Sequence, residues 1–320
     1  MTRTPPARPA ARPALTRPRR LRPGDRVAIV APSGPVERER LDAGVDVLRG
    51  WDLDPRVMPH VLDVHPRLDH LAGTDADRAR DLTEAWCDPS VAAVLAARGG
   101  YGVQRMVDLA DWEAMRAAGP KPFVGYSDLT VLHEAFAARL GLATLHGPMP
   151  ATVSFLKDGP TQEHLRATLL APETVTAITS PTARTLVPGR AFGTTYGGCL
   201  SLLAGQTGVP GRDSARPDGG ILLLEDVGEP PYRLDGYLTH LLRSGELDGV
   251  AGVVLGSWHD CGPYEKVREV LLDRLAPLGV PVVEELGFGH GPATLTLPLG
   301  VRATLDADTC TLTLQEPALV

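Results

Sequence analysis

The chain has 320 residues, of which 43% are hydrophobic and 22% charged, and a formal net charge of −7. That balance belongs to an ordinary globular protein with room for a large buried core, in one large domain or two. No apolar run approaches the ~18 residues a membrane helix needs, and an acidic body repels nucleic-acid phosphates, so neither membrane nor nucleic acid is an expected partner.

The charge is unevenly spread. Residues 1–22 hold seven arginines and no acid, which leaves the remainder at −14. This Pro/Arg/Ala stretch has too little apolar surface to fold and is predicted to be a disordered tail, either an extension or the product of a misassigned start codon. It lacks the apolar segment of a secretory signal, which points to a cytoplasmic product. Cys87, Cys199, Cys261 and Cys310 lie far apart without metal-ligand spacing, so reduced thiols are expected, with no metal and no cofactor.

From Gly24 the pattern alternates. "DRVAIVAPSG" reads as a strand and "VERERLDAGVDVLRGW" as a helix; "DPRVMPHVL" is the next strand. "DADRARDLTEAWCD" is a helix capped at Thr74 or Asp75. "VAAVLAARGGYG" is an apolar strand running into a glycine-rich loop, and "VQRMVDLADWEAMRAAG" is helical. "KPFVGYS" and "DLTVLHEAFAARLG" give a further strand and helix, and "ATLHGPM" ends this half. Alternation of this kind predicts a mainly parallel sheet covered on both faces, with ligands at the carboxyl ends of its strands. "PSGP", "ARGGYG" and "GYSD" each follow a strand, so all three are expected on one rim.

After residue 150 the texture changes. Residues 166–185 read as a linker. From 186 the chain is strand-rich, through "GRAFGTTYGGC", "GGILLLEDV", "GVAGVVLGSW" and "ATLTLPLGVRATLDADTCTLTLQ", with helices at "YRLDGYLTHLLRSG" and "YEKVREVLLDRLAPLG". The expected division is a tail at 1–22, an α/β domain at 23–165, the linker, and a β-rich domain at 186–320.

Several residues could carry chemistry. In "FVGYSDLTVLHEAF" (123–136) a strand turns on Gly-Tyr-Ser-Asp straight into a helix. Ser127 there is either a helix cap or a nucleophile pushed out of the sheet beside the helix's positive end. His133 and His240 fall inside helices, and His60, His65 and His70 lie in a polar stretch without a partner signal. His146 ends a strand, and His290 sits between Gly289 and Gly291, where little side-chain bulk lets an imidazole reach a cleft. Glu225 closes a buried strand, where a carboxylate can orient an imidazole or cap a turn. The Gly-Gly-x-Gly of "ARGGYG" departs from the dinucleotide spacing but can present backbone N–H groups to an anion.

Eight stretches taken in order resemble one family, the LD-carboxypeptidases, which include muramoyl-tetrapeptide carboxypeptidases and microcin C immunity peptidases. They are "LRPGDRVAIVAPSGPV", "AARGGYG", "FVGYSDLT", "LHGPM", "GGCLSLLAGQTG", "ILLLEDVGEPPYRLDGYLTHLLRSG", "GVVLGSW" and "GFGHGPATLTLPLG", spanning about residues 21–300. The resemblance implies a flavodoxin-like α/β domain followed by a β-rich, barrel-like domain, with the site between them, and a cytoplasmic homodimer. It implies a Ser-Glu-His triad on Ser127, Glu225 and His290, with an oxyanion hole at the backbone of Asp128 and of Gly99 or Gly100. The implied substrate is a murein tetrapeptide cleaved before its terminal D-alanine, or an aminoacyl-nucleotide. A fold relative that binds such ligands without cleaving them is the remaining alternative, disfavoured by three intact triad positions. Arg98, Arg233 and Tyr101 lie nearest the motif loops and are candidate substrate contacts, although either arginine can instead form a structural ion pair. Cys199 in "GGCLS" departs from the family, which often has asparagine there, and is expected to be packing.

Overall fold

The computed structural model describes residues 14–210 and 216–320. The β-branched run after Gly24 forms β1 (Arg26–Val30), four of whose five residues are buried. Next come α1 (Arg38–Gly50), β2 (Asp54–Val57), α2 (Asp75–Cys87) and β3 (Val91–Ala96). Helix α1 buries Leu41, Gly44, Val45 and Leu48, one stripe at helical spacing. Thr74 caps α2 by accepting from the Asp77 N–H at 3.2 Å. The half is completed by α3 (Val103–Met106), α4 (Trp112–Ala118), β4 (Phe123–Gly125), α5 (Thr130–Ala135), β5 (Thr144–His146), α6 (Val153–Lys157) and α7 (Gly159–Leu170).

Across the sheet the strands run β2-β1-β3-β4-β5, the flavodoxin-like order, and every one of these pairs is parallel. The order reverses between β1 and β3. The loops leaving those two strands therefore flank the crevice where such sheets bind ligands.

The second half contains β6 (Ala177–Ile178), β7 (Arg184–Val187), β8 (Arg190–Cys199), α8 (Leu200–Gly205), β9 (Ile221–Val227), α9 (Pro231–Arg243) and β10 (Gly252–His259). It ends with α10 (Tyr264–Leu275), β11 (Val282–Glu284), β12 (Leu297–Leu299), β13 (Arg302–Asp306) and β14 (Thr311–Leu314). Its curled, eight-stranded sheet has the order β6-β14-β13-β8-β9-β10-β11-β7, parallel from β8 to β11 and antiparallel elsewhere. Ile221, Leu223, Val254, Phe288, Leu305 and Leu312 fill the inside of the curl. On the other face, Leu222, Leu224 and Val253 pack against α8, α9 and α10. Among the described residues no helix is long and apolar enough to cross a membrane.

Three features differ from the sequence reading. Strand β12 leaves the second sheet and adds antiparallel to β5, with Leu297 opposite His146, so the halves share a sheet edge. Residues 166–185, read as a linker, hold the last turn of α7, the edge strand β6 and the start of β7. The tail reading for 1–22 is corrected for residues 14–22: Leu21 is buried, Arg17 pairs with Glu316 and Arg20 with Glu173. Backbone bonds join Thr16 to Gly141 and Arg20 to Val320. Composition misjudged this stretch because Leu21 and the arginines find partners far away in the chain. Residues 1–13 lie outside the described residues.

Candidate active site

Strand β4 ends at Gly125, and two residues later Ser127 has φ +68°, the left-handed region that L side chains rarely enter. Such a conformation costs on the order of 1–2 kcal/mol and persists only where neighbours enforce it. Two glycines make it possible. A Cβ on Gly125 would meet the Leu129 side chain at 2.8 Å, and one on Gly99 would meet Ser127 Cβ at 2.8 Å and Oγ at 3.0 Å. Neither Ser127 nor Asp128 caps the following helix. Ser127 Oγ has no hydrogen-bond partner among the described residues and is partly exposed, so its hydroxyl is free to turn.

The Asp128 side chain does the bracing instead. Fully buried, its Oδ2 accepts from Ser33 Oγ at 2.7 Å and from the Val103 N–H at 2.9 Å. One carboxyl thus ties the serine turn to the loop after β1 and to the start of α3. Burial holds that carboxyl above its ordinary range despite these donors. Buried Arg78 adds a second tie, donating to the carbonyls of Pro32 and Gly102 and to Asp75. The Gly34 N–H donates to Gly99 O at 3.3 Å. The N–H groups of Gly99 and Gly100 find no acceptor among the described residues, which leaves them available to an anion beside Ser127.

A buried carboxylate and an imidazole come from the second half of the chain. Glu225, on β9, is fully buried, and its Oε2 accepts from His290 Nδ1 at 2.6 Å. Gly289 makes this approach possible, since a Cβ there would lie 2.5 Å from Glu225 Oε2. The loop carrying His290 is cross-braced by Gly289 N–H to Thr294 Oγ1 at 2.9 Å and Leu295 N–H to Gly287 O at 2.8 Å. Burial alone would raise the Glu225 carboxyl. The charge and hydrogen bond of His290, with His146 beside it, together outweigh burial, and the carboxyl falls to about 2. Burial likewise works against a charged His290, but the Glu225 charge and hydrogen bond win and raise it. A carboxylate on Oε2 holds the Nδ1–H tautomer and leaves Nε2 as a base.

The two halves meet through Tyr126, the residue before Ser127. Its ring sits edge-on to His290 with centroids 4.9 Å apart. The Cys199 N–H donates to Thr130 Oγ1 at 3.0 Å, and a Cβ on Gly198 would lie 2.5 Å from that oxygen, so β8 presses directly on α5.

The two halves of the chain match the models of the LD-carboxypeptidase N-terminal domain over residues 27–147 and of the LD-carboxypeptidase C-terminal domain over residues 192–305. A Streptomyces coelicolor protein provisionally named a carboxypeptidase is 69% identical over 95% of this chain and 98% of its own. The chain belongs to the LD-carboxypeptidase family. The murein tetrapeptide carboxypeptidase of Pseudomonas aeruginosa is 34% identical over 88% of this chain and 94% of its own. The crystal structure of muramoyltetrapeptide carboxypeptidase from Oxalobacter formigenes superposes with a TM-score of 0.75 at 32% identity, covering 90% of this chain and 97% of that one. The microcin C7 self-immunity protein MccF of Escherichia coli is 26% identical over 92% of this chain and 94% of its own. The chain is therefore kin to peptidases that act on murein peptides and to one that confers microcin immunity.

Around this family frame the remaining candidates fall into place unevenly. Arg98 is half-buried on the glycine loop, and its Nη1 donates to Pro35 O at 2.9 Å. Tyr101 is 48% exposed, with its ring 5.7 Å from that of His70. Arg233 is engaged locally, with Glu229 just before its helix at 2.9 Å and the Tyr237 hydroxyl at 2.6 Å. Cys199 is buried, donates to Asp226 Oδ1 at 3.2 Å, and is held well above its ordinary thiol range by burial and by Glu225 and Asp226. It packs as a protonated thiol. Among the described residues no group of three His, Cys, Asp or Glu side chains is placed to hold a metal. Sequence reasoning missed the bracing by the Asp128 side chain and the place of Asp226, whose Oδ2 accepts from the Ser201 N–H at 2.7 Å. "YSD" and "LED" hint only that acids neighbour the functional residues.

Proposed function

We propose that this chain is a serine-type LD-carboxypeptidase that hydrolyses the amide between the L-centre of the diamino acid and terminal D-alanine in murein tetrapeptides. The observation that carries the reading is a serine held at φ +68° on one sheet's rim, its neighbour Tyr126 packed on an imidazole that is itself bound to a buried glutamate of the other sheet.

Ser127 Oγ attacks the scissile carbonyl while His290 Nε2 takes its proton. Glu225 steadies the imidazolium without taking that proton. The tetrahedral oxyanion is received by the N–H groups of Gly99 or Gly100 and Asp128, each such donor lowering the barrier by about 3–4 kcal/mol. The proton then passes to the D-alanine amine, which leaves an acyl-enzyme at Ser127. Water, deprotonated by His290, releases the tripeptide. Arg98 is the cation assigned to the terminal carboxylate, because a buried carboxylate needs one. Arg233, occupied by Glu229, is not given that role. The reading also takes the protein as a cytoplasmic homodimer, checked by light scattering and cell fractionation.

A second reading, cleavage of an aminoacyl-nucleotide, draws on exposed Tyr101 as a platform for a base. Phe155, which follows "GPM" in the sequence, is fully buried against Trp51 and offers no such platform. The test is to incubate wild-type and Ser127→Ala protein with a murein tetrapeptide and, separately, with an aminoacyl sulfamoyl nucleoside, following release by mass spectrometry. D-Alanine released by wild type only supports the proposal. Cleavage of the nucleoside alone would replace it with the second reading, and no cleavage of either would leave a binding protein.

A further inference from the structure

His146 and the second oxygen of Glu225 pose a question that the triad leaves open. Both side chains are fully buried. Neither ring nitrogen of His146 has a hydrogen-bond partner among the described residues, and neither has Glu225 Oε1. These orphaned groups face one another, with His146 Nε2 3.8 Å from Glu225 Oε1. A buried polar group left unpaired is costly, and here two such groups, a donor and an acceptor, stand about one ångström short of a hydrogen bond.

We propose that His146 is a positioning residue for the catalytic pair, its Nε2–H closing on Glu225 Oε1 while His290 Nδ1–H holds Oε2. The inference rests on the Ser127–His290–Glu225 reading of the site. The packing around His146 suits the role. Tyr126 lies 5.7 Å and Phe288 5.4 Å from its ring, so the fully buried imidazole is packed between aromatic walls. Register adds to this, because β5 carries His146 between β4, which ends at the serine turn, and β12, which follows the His290 loop. With both carboxylate oxygens held, the plane of Glu225 is set and so is the ring of His290.

Sharing the carboxylate has a consequence for His290. Glu225 stays ionised near neutral pH, so losing the His146 donor leaves its charge to His290 alone and raises the imidazolium's titration midpoint. The other groups around Glu225 are Asp226 beside it on β9, Cys199 opposite it on β8, and Tyr126 from the serine turn. Cys261 feels the same charge from the loop after β10, and His133 of α5 stacks behind His146 at 6.3 Å. None of these makes a hydrogen bond to His146, and His133, which burial and the His146 charge hold down at about 3, stays neutral near pH 7 with or without it.

The test compares wild type with His146→Phe, which keeps a ring and loses both nitrogens, with His146→Gln, whose amide reaches the Nε2 position, and with His146→Asn, which falls short of it. In substrate-free protein, NMR follows the low-field proton of the His290–Glu225 bond and the His290 titration. The expected result for Phe and Asn is a shifted low-field signal and a higher His290 midpoint, with Gln near wild type. In steady-state assays kcat falls about tenfold for Phe and Asn while KM changes by less than about twofold. An unchanged signal and midpoint in folded His146→Phe would overturn the proposal. If that variant does not fold, equal behaviour of Gln and Asn would do the same. Because NMR needs no substrate, this inference can fail while Ser127-dependent hydrolysis stands, and the reverse.

Discussion

The two halves of the site are built from different physics. On the rim of the parallel sheet, backbone geometry does the work: a serine in the left-handed region, glycines where any Cβ would collide, and amide N–H groups left open. At the end of β9, charge does it: a fully buried carboxylate bound to an imidazole, each shifting the other against the pull of burial. The first half should therefore be sensitive chiefly to bulk, with the buried Asp128 carboxyl as its titrating brace. The second should respond to charge and titrate.

The largest expected effect is Ser127→Ala, which should lower kcat by about 10⁴–10⁶-fold with an unchanged melting temperature, since the hydroxyl makes no bond to lose and alanine keeps the same backbone strain. Glu225→Gln, which keeps the shape and removes the charge, should cost about 10³–10⁴-fold in kcat. Gly99→Ala should cost about 10²–10³-fold, because its Cβ displaces Ser127 and with it the adjoining N–H donor. A kcat for Gly99→Ala within a factor of two of wild type would remove the backbone half of the comparison.

The pH dependence belongs to the charged half. His290 acts as a base only when neutral, and its midpoint is raised above the ordinary 6.5. The acid limb of kcat/KM should therefore lie above pH 6.5, and Glu225→Gln should move it down. In stability the same pair reads differently. The raised His290 contributes fully below about pH 6.5 and is lost as pH rises through its folded value. The lowered Glu225 contributes above about pH 4.5 and is lost as pH falls toward about 2. Urea midpoints should thus peak between about pH 4.5 and 6.5, and Glu225→Gln should flatten that peak. The smallest effect is Ser33→Ala, which takes one of two donors from Asp128 and should cost about 1–2 kcal/mol by urea unfolding.

How much of this was legible in the sequence depended on distance along the chain. The mainly parallel sheet could be read because each strand and helix carries its own periodicity, while its flavodoxin-like order came only with the family resemblance; the cap at Thr74 or Asp75 could be read because its signal is short. Whether Ser127 caps or attacks was not decided by its own segment, since "GYSD" fits both. What separates the readings is Gly99, 28 residues earlier, and Asp128 bonding to Ser33 rather than to the helix. The place of β12 in the first sheet escaped notice because "LPL" is three residues long and pairs with a strand about 150 residues before it. Residues 14–22 were misread since their partners, Glu173 and Glu316, are equally remote. His146 could be seen to end a strand, but nothing local says that Glu225 stands behind it.

The most direct test of the central claim, that the two halves act as one machine, is a double-mutant cycle on D-alanine release. Rates are measured for wild type, Ser127→Ala, Glu225→Gln and the double variant. If backbone and charge serve one nucleophile, the double variant is no slower than Ser127→Ala alone. Losses that multiply would contradict the account, because they would mean that Glu225 and His290 do something for the reaction that does not pass through Ser127.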